Sequence, residues 1–443
     1  MIGKVESTIL FAAKLVASIS TIAFGYVLSQ LVSDASFGIM MQALSIVTLL
    51  AGISTLGLNR VLLRQTSRKL INEDYSSLSS EISMALCICS GLSIVVMLIA
   101  ISVFEILVEK DLISVVKSHI FLFTGFSIPL LGVTLVAAGA LKAVGRPAVG
   151  TMAENSVGYL ISVLLLCAAV SFNLDLSENA LFAQLYVFSI LINLLIVISI
   201  LYKSLKKIGI TPYVMPVYHH EAIRLGKAFI ITSSLLGALA ATDVLFVGFI
   251  MGDTSAGYYS VASKISLLLT FVITALNPLF SVRISKDFAL SKRSKIEQLA
   301  QNVAVIGSVF GVLFIGALFL VGDEILKLYG DSFESAVNVL YILAISHFVV
   351  VSLGPAPVVL NMTDSEIYAR NIAFCTLVSN IVLCGLMVPV LGLMGAALST
   401  GVSLIGGKLI AVVLVYKRFG IVTTPFVRIV CSQLQSPIDG NLR

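Results

Sequence analysis

The chain has 443 residues, of which 58% are hydrophobic and only 12% charged, and its mean hydropathy is +1.07. A water-soluble domain has nowhere to bury that much apolar surface, so soluble enzymes and binding modules are excluded and a polytopic membrane protein remains. The net charge of +5 is too small and too scattered for a nucleic-acid partner and serves mainly as a topology signal.

Taken in chain order, apolar runs near the ~20 residues needed to cross a bilayer predict twelve spans. They cover 8–31, 38–59, 82–104, 118–141, 148–170 and 181–202, then 228–250, 257–281, 300–321, 336–360, 370–390 and 394–416. The first is too long for a removable signal peptide and lacks a small-residue cleavage site, so it counts as span 1. Pro129 in span 4 and Asn277-Pro278 in span 8 predict kinks, because proline lacks the helical N–H and crowds the preceding turn.

Cations set the orientation. Most of the 28 lysines and arginines fall between alternate spans, for example Arg60, Arg64, Arg68 and Lys69 after span 2, and Lys203, Lys206 and Lys207 after span 6. The positive-inside rule makes these segments and both ends cytoplasmic. The opposite segments are short and acidic, with Asp253, Asp323, Glu324 and Glu334 among them, and leave no room for a soluble domain. The six cysteines have neither a disulfide-framework nor a zinc spacing and read as small buried hydrophobes. No G-x-x-x-x-G-K-[ST] loop is present, so ATP hydrolysis by that route and a nucleotide cofactor are not expected.

A repeat supplies the architecture. Asp34-Ala-Ser-Phe-Gly38 opens span 2 and Asp253-Thr-Ser-Ala-Gly257 opens span 8, half a chain apart and both on the outer side. Six spans return the chain to its starting side, so the halves are expected to be parallel repeats about an axis along the membrane normal. The predicted fold is an all-α membrane protein of about twelve helices in two pseudo-symmetric six-helix bundles around a central cavity. The bundles cover 1–207 and 220–418, with a connector at 208–219 and a cytoplasmic tail at 419–443.

Charges inside the spans are costly and point to function. Asp243 and Lys264 lie ten residues to either side of the Asp253-Thr254 turn, which places both about 15 Å below it. They could form a structural ion pair, or line a cavity where substrate or a proton competes for the pair. Lys14 could snorkel to the inner surface or pair with Glu154 at similar depth. Lys408, flanked by Gly406-Gly407, lies roughly 13 Å from the inner Lys417-Arg418 cluster. His347, mid-span, suits either a hydrogen-bonded core position or proton coupling. Three lysines against two carboxylates favour an anionic substrate, and ammonium groups suit phosphate or pyrophosphate. Tyr26, Asn155, Tyr159 and Asn380 are polar or aromatic candidates for contact with the substrate.

The stretch from Thr242 to Lys264 resembles the helix 7 to helix 8 signature of the Wzx-type O-antigen flippases, within the polysaccharide exporter family of the multidrug/oligosaccharidyl-lipid/polysaccharide superfamily. Phe37-Gly38, Leu56-Gly57-Leu58, Leu141 to Arg146 and Gly392 to Leu398 agree with it in order and spacing. The resemblance implies a transporter, not an enzyme, that moves undecaprenyl-diphosphate-linked oligosaccharide from the cytoplasmic to the periplasmic leaflet of a bacterial inner membrane. It further implies alternating access by two bundles, driven by ion exchange. Asp243 and Lys264 match its charged positions, whereas Lys14, Glu154, His347 and Lys408 rest on depth. Membrane lipid is an expected partner, and a polysaccharide polymerase and a chain-length regulator are candidate protein partners. A cation-coupled drug antiporter of the same superfamily and a membrane-embedded polysaccharide-modifying enzyme are the rival readings.

Overall fold

The computed structural model describes residues 4–62, 75–110, 114–176, 180–207, 235, 237–239, 241–363 and 365–425. The connector with its His219-His220-Glu221 cluster, the tail beyond 425 and the side chain of Asn155 lie outside the described residues.

All regular structure among the described residues is helical. The helices are α1 (Lys4–Leu31), α2 (Asp34–Ser54), α3 (Tyr75–Glu109), α4 (Val115–Gly125), α5 (Ser127–Ala143), α6 (Pro147–Asn155), α7 (Val157–Ser171) and α8 (Leu181–Lys207). There follow α9 (Gly237–Met251), α10 (Asp253–Leu267), α11 (Phe271–Ala289), α12 (Arg293–Lys327), α13 (Val337–Ser352), α14 (Ala356–Met362) and α15 (Glu366–Phe419). Among the described residues eight helices are long and apolar enough to cross a membrane, and α6 with α7, bent by 48°, makes a ninth. The 54-residue α15 is long enough for two of the predicted spans. At its middle Gly392 takes φ 61°, ψ −138°, and Gly395 packs against the backbone of Met387. A straight helix would hold those two about 12 Å apart, so the chain reverses there. The α9 and α10–α11 segments occupy predicted spans 7 and 8 but are too short or too polar to pass the same test.

Proline acts differently from the expectation. The break in span 4 falls at Phe126, and Pro129 sits in the first turn of α5, where its missing N–H costs nothing. In span 8 the break is the 3-10 turn Leu268–Thr270, while Pro278 stays within α11.

The core is divided in a way that sets the shape. One apolar cluster joins the outer parts of both halves, from Phe24 and Met40 to Tyr259, Leu340 and Ala396. Toward the predicted inner face it gives way to two separate clusters. One is confined to the first half, around Leu78, Val136 and Leu201, and the other to the second, around Ile284, Val359 and Val415. The halves therefore share one core toward the predicted outer end, whereas toward the predicted inner end they have separate cores and touch at points such as Phe11 on Phe271 and Lys14 on Thr274.

The repeat motifs weld the halves at that outer end. Gly38 and Gly257 meet backbone to backbone, and a Cβ on Gly38 would lie 1.8 Å from the Asp253 carbonyl oxygen. Each motif aspartate accepts hydrogen bonds from the other half. Asp34 accepts from Tyr258 (2.8 Å) and Ser332 (2.6 Å), and Asp253 accepts from Gln42 (2.8 Å) and Lys117 (2.5 Å).

Candidate functional site

A cavity of about 300 Å3 opens between α1 and the α10–α11 segment, lined by Lys14, Ser18, Thr21, Lys264, Thr270 and Thr274 among others. No carboxylate lines it among the described residues. Lys264 reaches across the boundary between the halves and donates to the thioether of Met41 at 2.9 Å, a weak acceptor that leaves most of the ammonium's bonding capacity free. Lys14 donates to the backbone carbonyl of Thr274 at 2.5 Å. The reason lies in the sequence: Pro278, four residues on, has no N–H to give that carbonyl, and the lysine takes the vacant donor's place. Thr274 and Lys264 are ten residues apart, about 15 Å along a helix, so the two ammonium groups mark an inner and a deeper station of one cavity.

The expected Lys14–Glu154 pair is not formed. Glu154 at the end of α6 pairs with Lys142 at the end of α5, a residue read from the sequence as an inner-loop cation. Glu154 still acts electrostatically on both Lys14 and Arg60. Lys142 thus holds the carboxylate directly, with Lys14 and Arg60 within its electrostatic reach.

The expected Asp243–Lys264 pair is not formed either, although both stand ten residues from the Asp253-Thr254 turn. Helix phase decides: Lys264 faces the first half, while Asp243 points into the second. Asp243 is 5% exposed and accepts from Asn380 Nδ2 (3.0 Å), Thr400 Oγ1 (2.7 Å) and, more weakly, Cys384 Sγ (3.6 Å). Tyr259 contacts Thr400 Oγ1 at 3.3 Å. Every one of these donors is neutral, and no cationic side chain pairs with Asp243 among the described residues. Among the described residues the side-chain oxygen of Asn380 has no hydrogen-bond partner, nor does the hydroxyl of Ser403, one turn on from Thr400. The sequence reading missed Thr400 and Cys384 and assigned Asn380 to the substrate; the available signal was the polar residues standing alone in the apolar runs of spans 11 and 12.

Lys408 does not join the two cavity lysines. It lines a separate crevice of about 230 Å3 inside the second half, with Leu239, Asn361, Thr376 and Leu404. His347 is buried in α13, touches neither cavity, and has no hydrogen-bond partner among the described residues. Tyr159 packs with Phe24 and Tyr186 in the core, and Tyr26 stacks edge-on against Tyr329 at the outer end. Cys87, Cys167 and Cys375 are exposed on the bundle surface, contrary to their reading as buried hydrophobes; Cys89 and Cys384 are buried.

Three comparisons fit this geometry. A probable flippase, AglR, of Haloferax volcanii is 29% identical over 173 residues, which are 38% of this chain and 36% of that protein. The chain thus matches little more than a third of that relative's length. A solved multidrug resistance MATE family transporter of the MOP superfamily, in its inward-facing conformation, superposes with a TM-score of 0.76 over 94% of this chain and 98% of its own, at 10% identity. A MOP superfamily transporter from Pyrococcus furiosus, whose binding pocket is described as having reverse polarity, superposes with a TM-score of 0.69 over 94% of this chain and 95% of its own at 12% identity. These structures share the fold: two helical bundles around a cavity. Residues 6–283 match the model of the polysaccharide biosynthesis protein family, well over half of the sequence, and the chain is a multi-pass membrane protein belonging to that family.

Proposed function

We propose that this protein is a flippase for a polyprenyl-diphosphate-linked oligosaccharide, undecaprenyl diphosphate in a bacterial inner membrane, moving repeat units of O-antigen or a related polymer from the cytoplasmic leaflet outward. One observation carries this reading: Lys14 and Lys264 line a single cavity between the halves that is free of carboxylates among the described residues. Two ammonium groups in a partly dehydrated cleft attract a diphosphate and repel the cationic drugs that an antiporter would carry. The head group enters past the basic inner mouth, meets Lys14, and then Lys264 deeper in. The prenyl tail stays in lipid at the side of the V, so neither sugar nor phosphate crosses hydrocarbon.

Asp243 serves as the coupling site. A buried carboxylate that has only neutral donors costs several kcal/mol when ionised, and a proton or small cation removes that cost. Its two oxygens and Thr400 Oγ1 provide hard ligands for such a cation, and the Asn380 oxygen joins them once its amide, whose nitrogen faces Asp243, turns over. Occupancy of that site, set by the ion gradient, would bias the bundles between inner-open and outer-open states.

The test is the fate of lipid-linked oligosaccharide in cells lacking the protein. Accumulation of repeat units on the cytoplasmic leaflet with loss of surface polymer is the expected result, reversed by the wild-type chain and not by Lys264→Met. Unchanged polymer with heightened sensitivity to cationic drugs would overturn the proposal in favour of a drug antiporter.

A further inference from the structure

The Lys408 crevice and the Asp243 site are built on the same helices in the same register. Asp243 on α9 is held by Asn380 and Thr400 from the two arms of α15. The crevice is lined one turn away on each: Leu239 four residues before Asp243, Thr376 four before Asn380, and Leu404 four after Thr400. The second turn repeats the pattern with Leu235, Ile372 and Lys408, each eight residues away. In the predicted topology α9 and the first arm of α15 run outward and the second arm runs inward, so all three offsets point to the cytoplasm. The crevice therefore lies directly beneath the carboxylate.

Polar atoms bridge the remaining turn. Thr376 is buried on the crevice wall, and Gly407 leaves room for it, since a Cβ there would lie 2.1 Å from its hydroxyl. Ser403, 3% exposed and with no hydrogen-bond partner, is one turn inward of Thr400. At ~30 Å3 per water, the crevice of about 230 Å3 holds several. Lys408 stands at its cytoplasmic part with no acceptor among the described residues. Side chains tilt toward the start of their helix, which for the inward-running arm aims Lys408 toward Thr400 rather than toward the cytoplasm.

We propose that this crevice is the cytoplasmic access path for the cation that binds Asp243, and that Lys408 is its charge gate. The path rests on the coupling role given to Asp243 above. While the halves are open inward, the ammonium opposes refilling of the site by cytosolic cations, so a cation that has left does not return and the cycle keeps its direction.

Thiol labelling tests both parts. Reporter cysteines Thr376→Cys or Ala373→Cys are placed in a background whose Cys87, Cys89, Cys167, Cys375 and Cys431 are replaced by alanine, with the buried Cys384 kept beside Asp243 and the reporter-free chain as the labelling control. Inverted membrane vesicles are then treated with a cationic methanethiosulfonate, the trimethylammonium ethyl reagent, or its anionic sulfonate counterpart. Both reporters should label from the cytoplasmic side, the anion faster. Lys408→Met should speed the cationic reagent and slow the anionic one on the order of tenfold each, the effect of one unit charge at about 10 Å in a protein medium, so the ratio of rates should shift on the order of a hundredfold toward the cation. Failure of both reporters to label, or a ratio unchanged by Lys408→Met, would overturn the proposal whatever Asp243 does. Export that survives Asp243→Asn would instead overturn the coupling reading and with it the crevice's role as a cation path, while leaving the labelled crevice and the charge effect of Lys408 standing, because labelling does not pass through the carboxylate.

Discussion

Asp243 and Lys264 lie at one depth on consecutive helices, yet they occupy different chemical worlds. Asp243 is enclosed by neutral donors within the second half, whereas Lys264 projects across the boundary between the halves into a cavity, with only a thioether to hold it. Depth in the membrane is set by the count of residues from a turn; the compartment a charge serves is set by helix phase. The proposed sites for an anionic cargo and for a cation can thus sit on neighbouring helices without neutralising each other, a requirement of any carrier that exchanges one for the other.

The contrast can be broken first at Asp243. Asp243→Asn keeps the shape and removes the charge, so the conformational bias by a cation is lost; export is expected to collapse while the protein remains in the membrane, measured as surface polymer against membrane content. Next is the cavity. A charge-assisted hydrogen bond is worth about 1.5–3 kcal/mol, so Lys264→Met should weaken head-group binding roughly 10- to 100-fold. Binding of a soluble prenyl-diphosphate analogue to the purified protein would measure it. Lys264→Arg, which keeps the charge, should restore most of the affinity.

Lys14 should show a mixed effect. Lys14→Met removes the inner station and also strands the Thr274 carbonyl freed by Pro278, at a cost of about 1–3 kcal/mol if that carbonyl stays dry. Adding Pro278→Ala restores an N–H to that carbonyl, so the double variant should regain thermal stability without regaining analogue affinity. A smaller change is expected at the inner mouth: Glu154→Gln removes the partner of Lys142, a half-buried pair whose loss should cost about 1 kcal/mol or less. Export should persist in that variant, since the mouth only becomes more positive.

The sequence made the spans legible because run length and the placement of cations are one-dimensional signals. The D-x-S-x-G repeat announced equivalent helix starts, and those starts do meet at the outer weld through Gly38 and Gly257. What could not be read is which groups meet across long separations. Asn380 and Thr400 are 137 and 157 residues from Asp243, and nothing local in either run marks the assembly. Lys142 looked like a loop cation because it ends a helix, but the bend into α6 brings Glu154 back to it. Lys408 shares its depth class with Lys14, and only the crossing of three helices assigns it to another cavity. Pro278 was read as a kink, whereas its main consequence is a free carbonyl that fixes a lysine from another helix.

The smallest expected effect is the sharpest test of the separation. If Asp243 and Lys264 formed a pair, removing both would restore part of what either single change destroys. In the geometry observed here each has its own partners and no shared one, so a double-mutant cycle of Asp243→Asn and Lys264→Met on analogue binding should give a coupling within about 0.5 kcal/mol of zero. The same cycle on export, run across a range of external cation concentrations, reads a different quantity, because transport requires both sites to be emptied and filled in turn. There the two changes should fail to add: once the cation site no longer biases the bundles, weakening the hold on the head group has little left to slow. Independence in binding together with non-additivity in transport is the signature of two sites joined through the motion of the halves and not through direct contact.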